Sequence, residues 1–125
     1  ENTVVETQRK NLLIKAATMS QYVNSLSGGN QQKVVLGKWL ASKPKLLILD
    51  EPTRGVDVNA KQEIYQLIGK LAKQGIAIIL ISSEMEELLE ISDRMMVLNE
   101  KRIAGFLEKE EFTQNIVLAM ASGLA

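Results

Sequence analysis

Asp50 and Glu51 stand side by side, directly after four bulky apolar residues, Leu46 to Leu49, and directly before Pro52. Two carboxylates so placed offer hard oxygen ligands for Mg²⁺ and a base able to orient a water for attack on phosphorus. Taken alone, the dipeptide favours a plainer reading, a strand that ends in two solvated acids; its surroundings reverse that preference. A second constellation lies upstream in Leu26-Ser27-Gly28-Gly29-Asn30-Gln31-Gln32-Lys33-Val34. Ser27 suits a helix cap, and Gly28 and Gly29 leave backbone amides unshielded by side chains. The helix entrance would then present N–H donors and the positive end of its dipole to an anion such as phosphate. By itself Ser-Gly-Gly also fits a plain capped helix with flexible glycines. A third stretch, Ser82-Ser83-Glu84-Met85-Glu86, places Ser83 three residues before Glu86, the spacing of a capping box that opens a short helix.

The elements that must position these groups can be read around the acid pair. Leu46 to Leu49 shows no polar alternation, so both faces of this strand are predicted to be buried, as in the interior of a parallel sheet. Asp50 and Glu51 then sit at the carboxyl end of the strand, where open α/β sheets gather their ligands, and Pro52 stops the ladder. Upstream, Asn2 to Ala17 reads as an amphipathic helix with Val4, Val5, Leu12, Leu13 and Ile14 on its apolar side, and Thr18 to Ser25 as a polar linker. The helix that Ser27 opens is predicted to run to about Ser42, with Val34, Val35, Trp39 and Leu40 inward, Trp39 being assigned to the core; Pro44 ends it. Downstream, Asp57 is placed to cap a helix over Val58 to Gln74. Ala60, Ile64, Leu67, Ile68 and Leu71 make one stripe of it, and Gly75 closes it. Ile76 to Ile81 is a second apolar strand, which favours a right-handed βαβ unit. Arg94 to Asn99 is a third strand, turned at Asn99-Glu100-Lys101 into a partner over Arg102 to Phe106. Glu108 to Ser122 is a terminal helix with Phe112, Ile116, Val117 and Met120 inward.

Composition narrows the chemistry. At 125 residues and 46% hydrophobic content the chain suits one globular domain with a core. Fifteen basic and fifteen acidic residues cancel, which argues against a nucleic-acid partner and against electrostatic anchoring to a membrane. Cysteine is absent, which excludes disulfides and thiolate metal sites and is compatible with a reducing cytosol. Histidine is absent as well, so no imidazole serves as ligand, base or pH switch in this sequence. No apolar run is long enough to span a bilayer, and the start, Glu-Asn-Thr-Val-Val, has no basic n-region. Without an initiator Met it is expected to be a processed product or an excised piece.

Taken in order and separation, Leu26 to Gln32, then Leu46-Leu47-Ile48-Leu49-Asp50-Glu51-Pro52-Thr53, then Asp57, resemble the signature motif, Walker B strand and D-loop of ATP-binding cassette ATPases. The resemblance covers about Leu26 to Gly105 and loosely the remainder. A narrower likeness is carried by Asn30 in place of the usual glutamine, by Arg54-Gly55-Val56-Asp57-Val58 and by Ser82-Ser83-Glu84-Met85. These are similar to the second cassette of sugar importers of the ribose, galactose and autoinducer-2 type, in which two cassettes share one polypeptide.

The resemblance implies an α/β fold, part of a RecA-like P-loop NTPase with a mainly parallel sheet flanked by helices, lacking the strand that carries the phosphate loop. Residues 1–25 would be the end of a helical subdomain and a linker, and 26–125 the C-terminal half of the ATPase domain. Asp50 would hold Mg²⁺, through water, and Glu51 would act as base or orienter of the attacking water. Ser27, Gly28, Gly29 and Asn30 would meet the ATP held on an opposite cassette, and Asp57 would lie at the seam. The implied partners are that second cassette, transmembrane permease subunits and, indirectly, a solute-binding protein, with no nucleic acid, at the cytoplasmic face of a bacterial membrane. Two departures matter. No Gly-x-x-x-x-Gly-Lys-Ser/Thr occurs, and Gly69-Lys70 fails because Ile64 takes the earlier glycine position. The chain alone is therefore expected neither to bind ATP tightly nor to hydrolyse it, and to expose apolar surface that a whole cassette buries. At Ser83 cassette ATPases usually carry a histidine that contacts the γ-phosphate, so the site that uses Ser83 is expected to be slow or mainly structural. The competing functions are a cassette ATPase of DNA repair or ribosomes, and a degenerate regulatory cassette.

Overall fold

A computed structural model describes residues 2–18 and 20–124. Five α-helices and four strands are assigned among them, in the order α1 (Asn2–Asn11), α2 (Gly28–Leu40), β1 (Leu46–Asp50), α3 (Val58–Lys73), β2 (Ala77–Ile81), α4 (Met85–Ile91), β3 (Arg94–Asn99), β4 (Arg102–Glu108) and α5 (Gln114–Ala121). Contacts divide the chain into two units, Glu1–Ile79 and Leu80–Ala125. The class is mixed α/β with parallel strands, as expected.

β1 and β2 are neighbours, linked through α3 in a βαβ arrangement, and the Ala77 N–H donates to the Lys45 carbonyl (2.9 Å). The stripe on α3 is the one the sequence predicts: Ile64, Leu67, Ile68 and Leu71 are buried and Ala60 is half-buried. Asp57 caps this helix by accepting the Ala60 N–H at 3.0 Å, and Gly75 follows it at φ 91°. The expected burial of both faces of β1 is corrected. Leu47 and Leu49 are buried, whereas Leu46 is 49% and Ile48 61% exposed. An unbroken apolar run reports what a strand is able to bury; these two side chains meet no covering layer among the described residues.

Three helix expectations are also corrected. α1 stops at Asn11, where Leu13 takes φ 51°, because Leu12, Leu13 and Ile14 in succession cannot all face one side of a helix. Leu12 alone of the three is buried, against Gly37, where any Cβ would come within 2.9 Å of Leu12 Cδ1. α2 turns a different face inward: Gly29, Lys33, Leu36 and Gly37 are buried, while Val35 and Trp39 are exposed, so Trp39 is not a core residue. Residues 2–18 and 20–25 share the first unit with α2, and the predicted linker contains a 3-10 turn, Val23–Ser25.

The second unit is an antiparallel hairpin with helices. β3 and β4 pair from Arg94↔Glu108 to Asn99↔Arg102, with an irregularity between Val97 and Leu98 that leaves Ala104 without a partner. Glu100 and Lys101 both take positive φ, the geometry of a tight two-residue hairpin turn that follows strand twist. Met95, Val97, Leu107 and Val117 form its core, flanked by Met85, Leu88, Leu89, Phe112 and Met120. The terminal helix is shorter than predicted. A 3-10 turn, Lys109–Glu111, precedes it, Thr113 caps it through the Ile116 N–H, and Ile116 is 41% exposed.

Candidate functional site

Asp50 ends β1 and is exposed; Glu51, next in the chain, is half-buried. Glu51 takes φ 48°, a left-handed backbone that side chains disfavour. Its carbonyl accepts the Arg54 N–H (3.2 Å) and the Thr53 carbonyl accepts the Val56 N–H (3.1 Å), so two overlapping turns reverse the chain from β1 into α3. Pro52, Thr53 and Val56 are buried beneath these turns and Gly55 takes φ 73°, which lets the turn close. The acids are thereby raised on a fixed loop between a strand tip and a capped helix.

The signature residues lie beside this loop in the same unit. A Cβ on Gly28 would come 3.5 Å from the Gly55 carbonyl oxygen, and one on Gly29 would come 2.5 Å from Ala60 Cβ. Only glycine at position 29 allows the start of α2 to touch the start of α3. Ser27 takes the N-cap backbone conformation and its carbonyl accepts the Gln31 N–H at 2.9 Å. The expected side-chain cap is corrected: Ser27 Oγ makes no bond to the helix backbone and instead accepts Asn30 Nδ2 at 2.9 Å. Asn30 Oδ1 in turn accepts the Lys15 N–H at 2.8 Å, and Gln31 Nε2 donates to the Leu26 carbonyl at 2.9 Å. Ser27 and Gly28 are exposed, so a hydroxyl and the α2 entrance face solvent.

One residue pair that the sequence reading missed locks these helices together. Lys33 is 3% exposed and its ammonium binds the Glu63 carboxylate. That hydrogen bond, and then the Lys33 charge, hold the Glu63 carboxyl below its ordinary value. The signal was present in the sequence, because Lys33 shares a helix face with Gly29, Leu36 and Gly37 at spacings of three and four.

Ser83 belongs to the second unit and is exposed. The expected capping box there is corrected. The N-cap of α4 is Glu84, with no side-chain cap, and Ser82 Oγ accepts the Glu84 N–H at 3.0 Å.

Among the described residues no group of three or more acidic side chains converges. Magnesium ordinarily takes one or two carboxylates and completes its shell with water and phosphate oxygens. Asp50 and Glu51 fit an ion that arrives with a nucleotide. No helix among the described residues is long and apolar enough to cross a membrane.

Residues 2–54 match the family model described as ABC transporter. The chain is 56% identical over 97% of its length to the ribose import ATP-binding protein of Lactococcus lactis subsp. cremoris, of which it covers 25%. It is 54% identical over 91% of its length to the xylose import ATP-binding protein of Geobacillus kaustophilus, of which it covers 23%. The chain therefore spans about a quarter of the length of the curated relatives it matches. Among solved structures it is similar to cbiO1 from Clostridium perfringens, with TM-score 0.76 and 29% identity, over 88% of this chain and 44% of that one. It shares its fold with MJ1267, an ATP-binding cassette of an ABC transporter, at TM-score 0.82 and 22% identity, over 95% of this chain and 49% of that one.

Proposed function

We propose that this chain, which is similar to ABC transporter ATP-binding proteins, is the C-terminal part of an ATP-hydrolysing cassette that drives uptake of a sugar or sugar-like solute. The observation that carries the reading is the seating of Gly28 and Gly29 on Gly55 and Ala60, which puts the serine–glycine entrance of α2 next to the loop that bears the acid pair. The solute class rests on the relatives' names, which are ribose and xylose import proteins.

In this reading each group has one task. Asp50 would hold Mg²⁺, which would supply charge neutralisation on the phosphates. Glu51, fixed by its strained turn, orients a water and takes its proton as that water attacks phosphorus. The Ser27 hydroxyl and the amides at the α2 entrance donate to the γ-phosphate of a nucleotide held on a second cassette, and Asn30 steadies Ser27. Asp57 lies at the seam between the two cassettes, where its cap keeps α3 and the turn in register. Closure of the two half-sites over ATP moves permease subunits at the cytoplasmic face of the membrane, fed by a solute-binding protein.

Substituting Glu51→Gln in the intact transport ATPase tests the reading. Single-turnover hydrolysis at the site that bears Glu51 should fall by roughly 10²-fold or more while ATP still binds, since the carboxylate is removed and its shape kept. Unchanged turnover would overturn the assignment. At Ser83 a hydroxyl would supply neither a cation nor a ring to the transition state, so the site that includes it is proposed to be slow or mainly structural. Ser83→His should raise turnover, and an unchanged rate would remove that explanation.

A further inference from the structure

Beyond α1 the chain runs past the start of α2, and Lys15 is tied there by the two bonds through Asn30. Their direction follows from the donors involved. A backbone N–H can only donate, so the Asn30 oxygen faces Lys15 and its NH₂ faces Ser27. Ser27 Oγ is the acceptor of that bond, which leaves its own proton to be donated outward. Ser27 and Asn30 line a cleft together with Arg9, Lys10, Lys15 and Glu63. Three of these six side chains are cationic and one is acidic, and the acid, Glu63, already binds Lys33. Arg9 and Lys10 pair with Glu6 at 3.7 and 3.6 Å, too long for strong pairing. Arg9, Lys10 and Lys15 thus line one open cleft with an outward-donating hydroxyl, beside apolar neighbours that include Leu13, Ile14 and Leu26.

We propose that this cleft extends the signature loop into a polyphosphate subsite, in which Lys15, whose backbone N–H Asn30 ties beside Ser27, and Arg9, which lines the same cleft, receive the phosphate chain of the nucleotide that a second cassette presents. The inference rests on the function proposed above and adds cations to a motif that carries none of its own before Lys33. Their role is electrostatic: they draw the triphosphate toward Ser27 and offset its charge as the two half-sites close.

Amide NMR spectra of the chain, titrated with ATP, inorganic tripolyphosphate or adenosine at low salt, test it. ATP and tripolyphosphate should both shift residues 14–17 and 27–30 saturably, with a dissociation constant of about 1–10 mM, and adenosine should not. Lys15→Gln and Arg9→Gln should each weaken ATP about threefold and together roughly tenfold, with amide dispersion unchanged, while Lys15→Arg keeps the affinity. Undiminished affinity in the double variant, with the 27–30 shifts intact, overturns the subsite and leaves the signature reading standing. Equal shifts from adenosine overturn it in favour of base recognition. Absence of any shift at 27–30 up to about 10 mM overturns the subsite.

Discussion

At Glu51 the backbone takes φ 48°, where a Cβ crowds the following carbonyl at a cost of about 1–2 kcal/mol. A strained residue at an exposed loop is retained where its side chain must be aimed. Glu51→Gly should therefore raise stability by about 1 kcal/mol in urea unfolding, although it removes the proposed base. Gly29 makes the opposite case. Gly29→Ala drives a methyl to 2.5 Å from Ala60 Cβ, and overpacking of that kind costs about 1–3 kcal/mol. Adding Ala60→Gly should restore part of the loss, and strict additivity of the two changes would contradict the proposed contact. The Lys33–Glu63 pair gives a pH signature. The folded-state value of Glu63 lies below its ordinary 4.5, so its contribution is full above that value and is lost as pH falls through the lower one. Glu63 is 45% exposed, which discounts the effect to about 1 kcal/mol. Stability of the parent chain should fall more steeply below about pH 4.5 than that of Glu63→Gln, as thermal unfolding across pH would measure.

Among the elements, two helix starts that look alike in sequence differ in physics. Asp57 accepts an N–H of its own helix, so Asp57→Ala should cost about 1 kcal/mol. Ser27 makes no such bond, so Ser27→Ala should cost less than about 0.5 kcal/mol while weakening phosphate contact. Denaturant midpoints of the two variants compare them directly. The difference was hidden in the sequence, because both residues are good caps and only the place of Asn30 diverts Ser27. α3, β2 and the β3–β4 hairpin were legible because their periodicity and turn residues agree. α1 and α2 were not. A run of three apolar residues made α1 look longer than it is, and the buried face of α2 is marked by glycines and a lysine that a search for large apolar residues passes over. The acid pair, the signature residues and Asp57 stand in the sequence as an ordered set, and the structure brings Gly28 and Gly29 against Gly55 and Ala60; the partnership of Lys15 with Asn30 was not legible, since it joins residues fifteen apart.

On the scale of the whole molecule, each unit carries an apolar face open to solvent. In the first, Leu46 and Ile48 are bare; in the second, Met96, Leu98, Ile103 and Phe106 are each more than half exposed on the hairpin. Faces of this kind associate in water, so sedimentation should show concentration-dependent self-association that Ile48→Lys or Phe106→Lys reduces. The same openness fits a chain that matches half of a solved cassette and a quarter of its transport relatives. The central claim is that these residues supply the acids and the serine–glycine entrance for a triphosphate bound elsewhere, and magnesium-dependent ATP hydrolysis by the purified chain tests it most directly. The account predicts no turnover above background. Turnover that Glu51→Gln abolishes would contradict it, by showing that this chain holds and cleaves the nucleotide on its own.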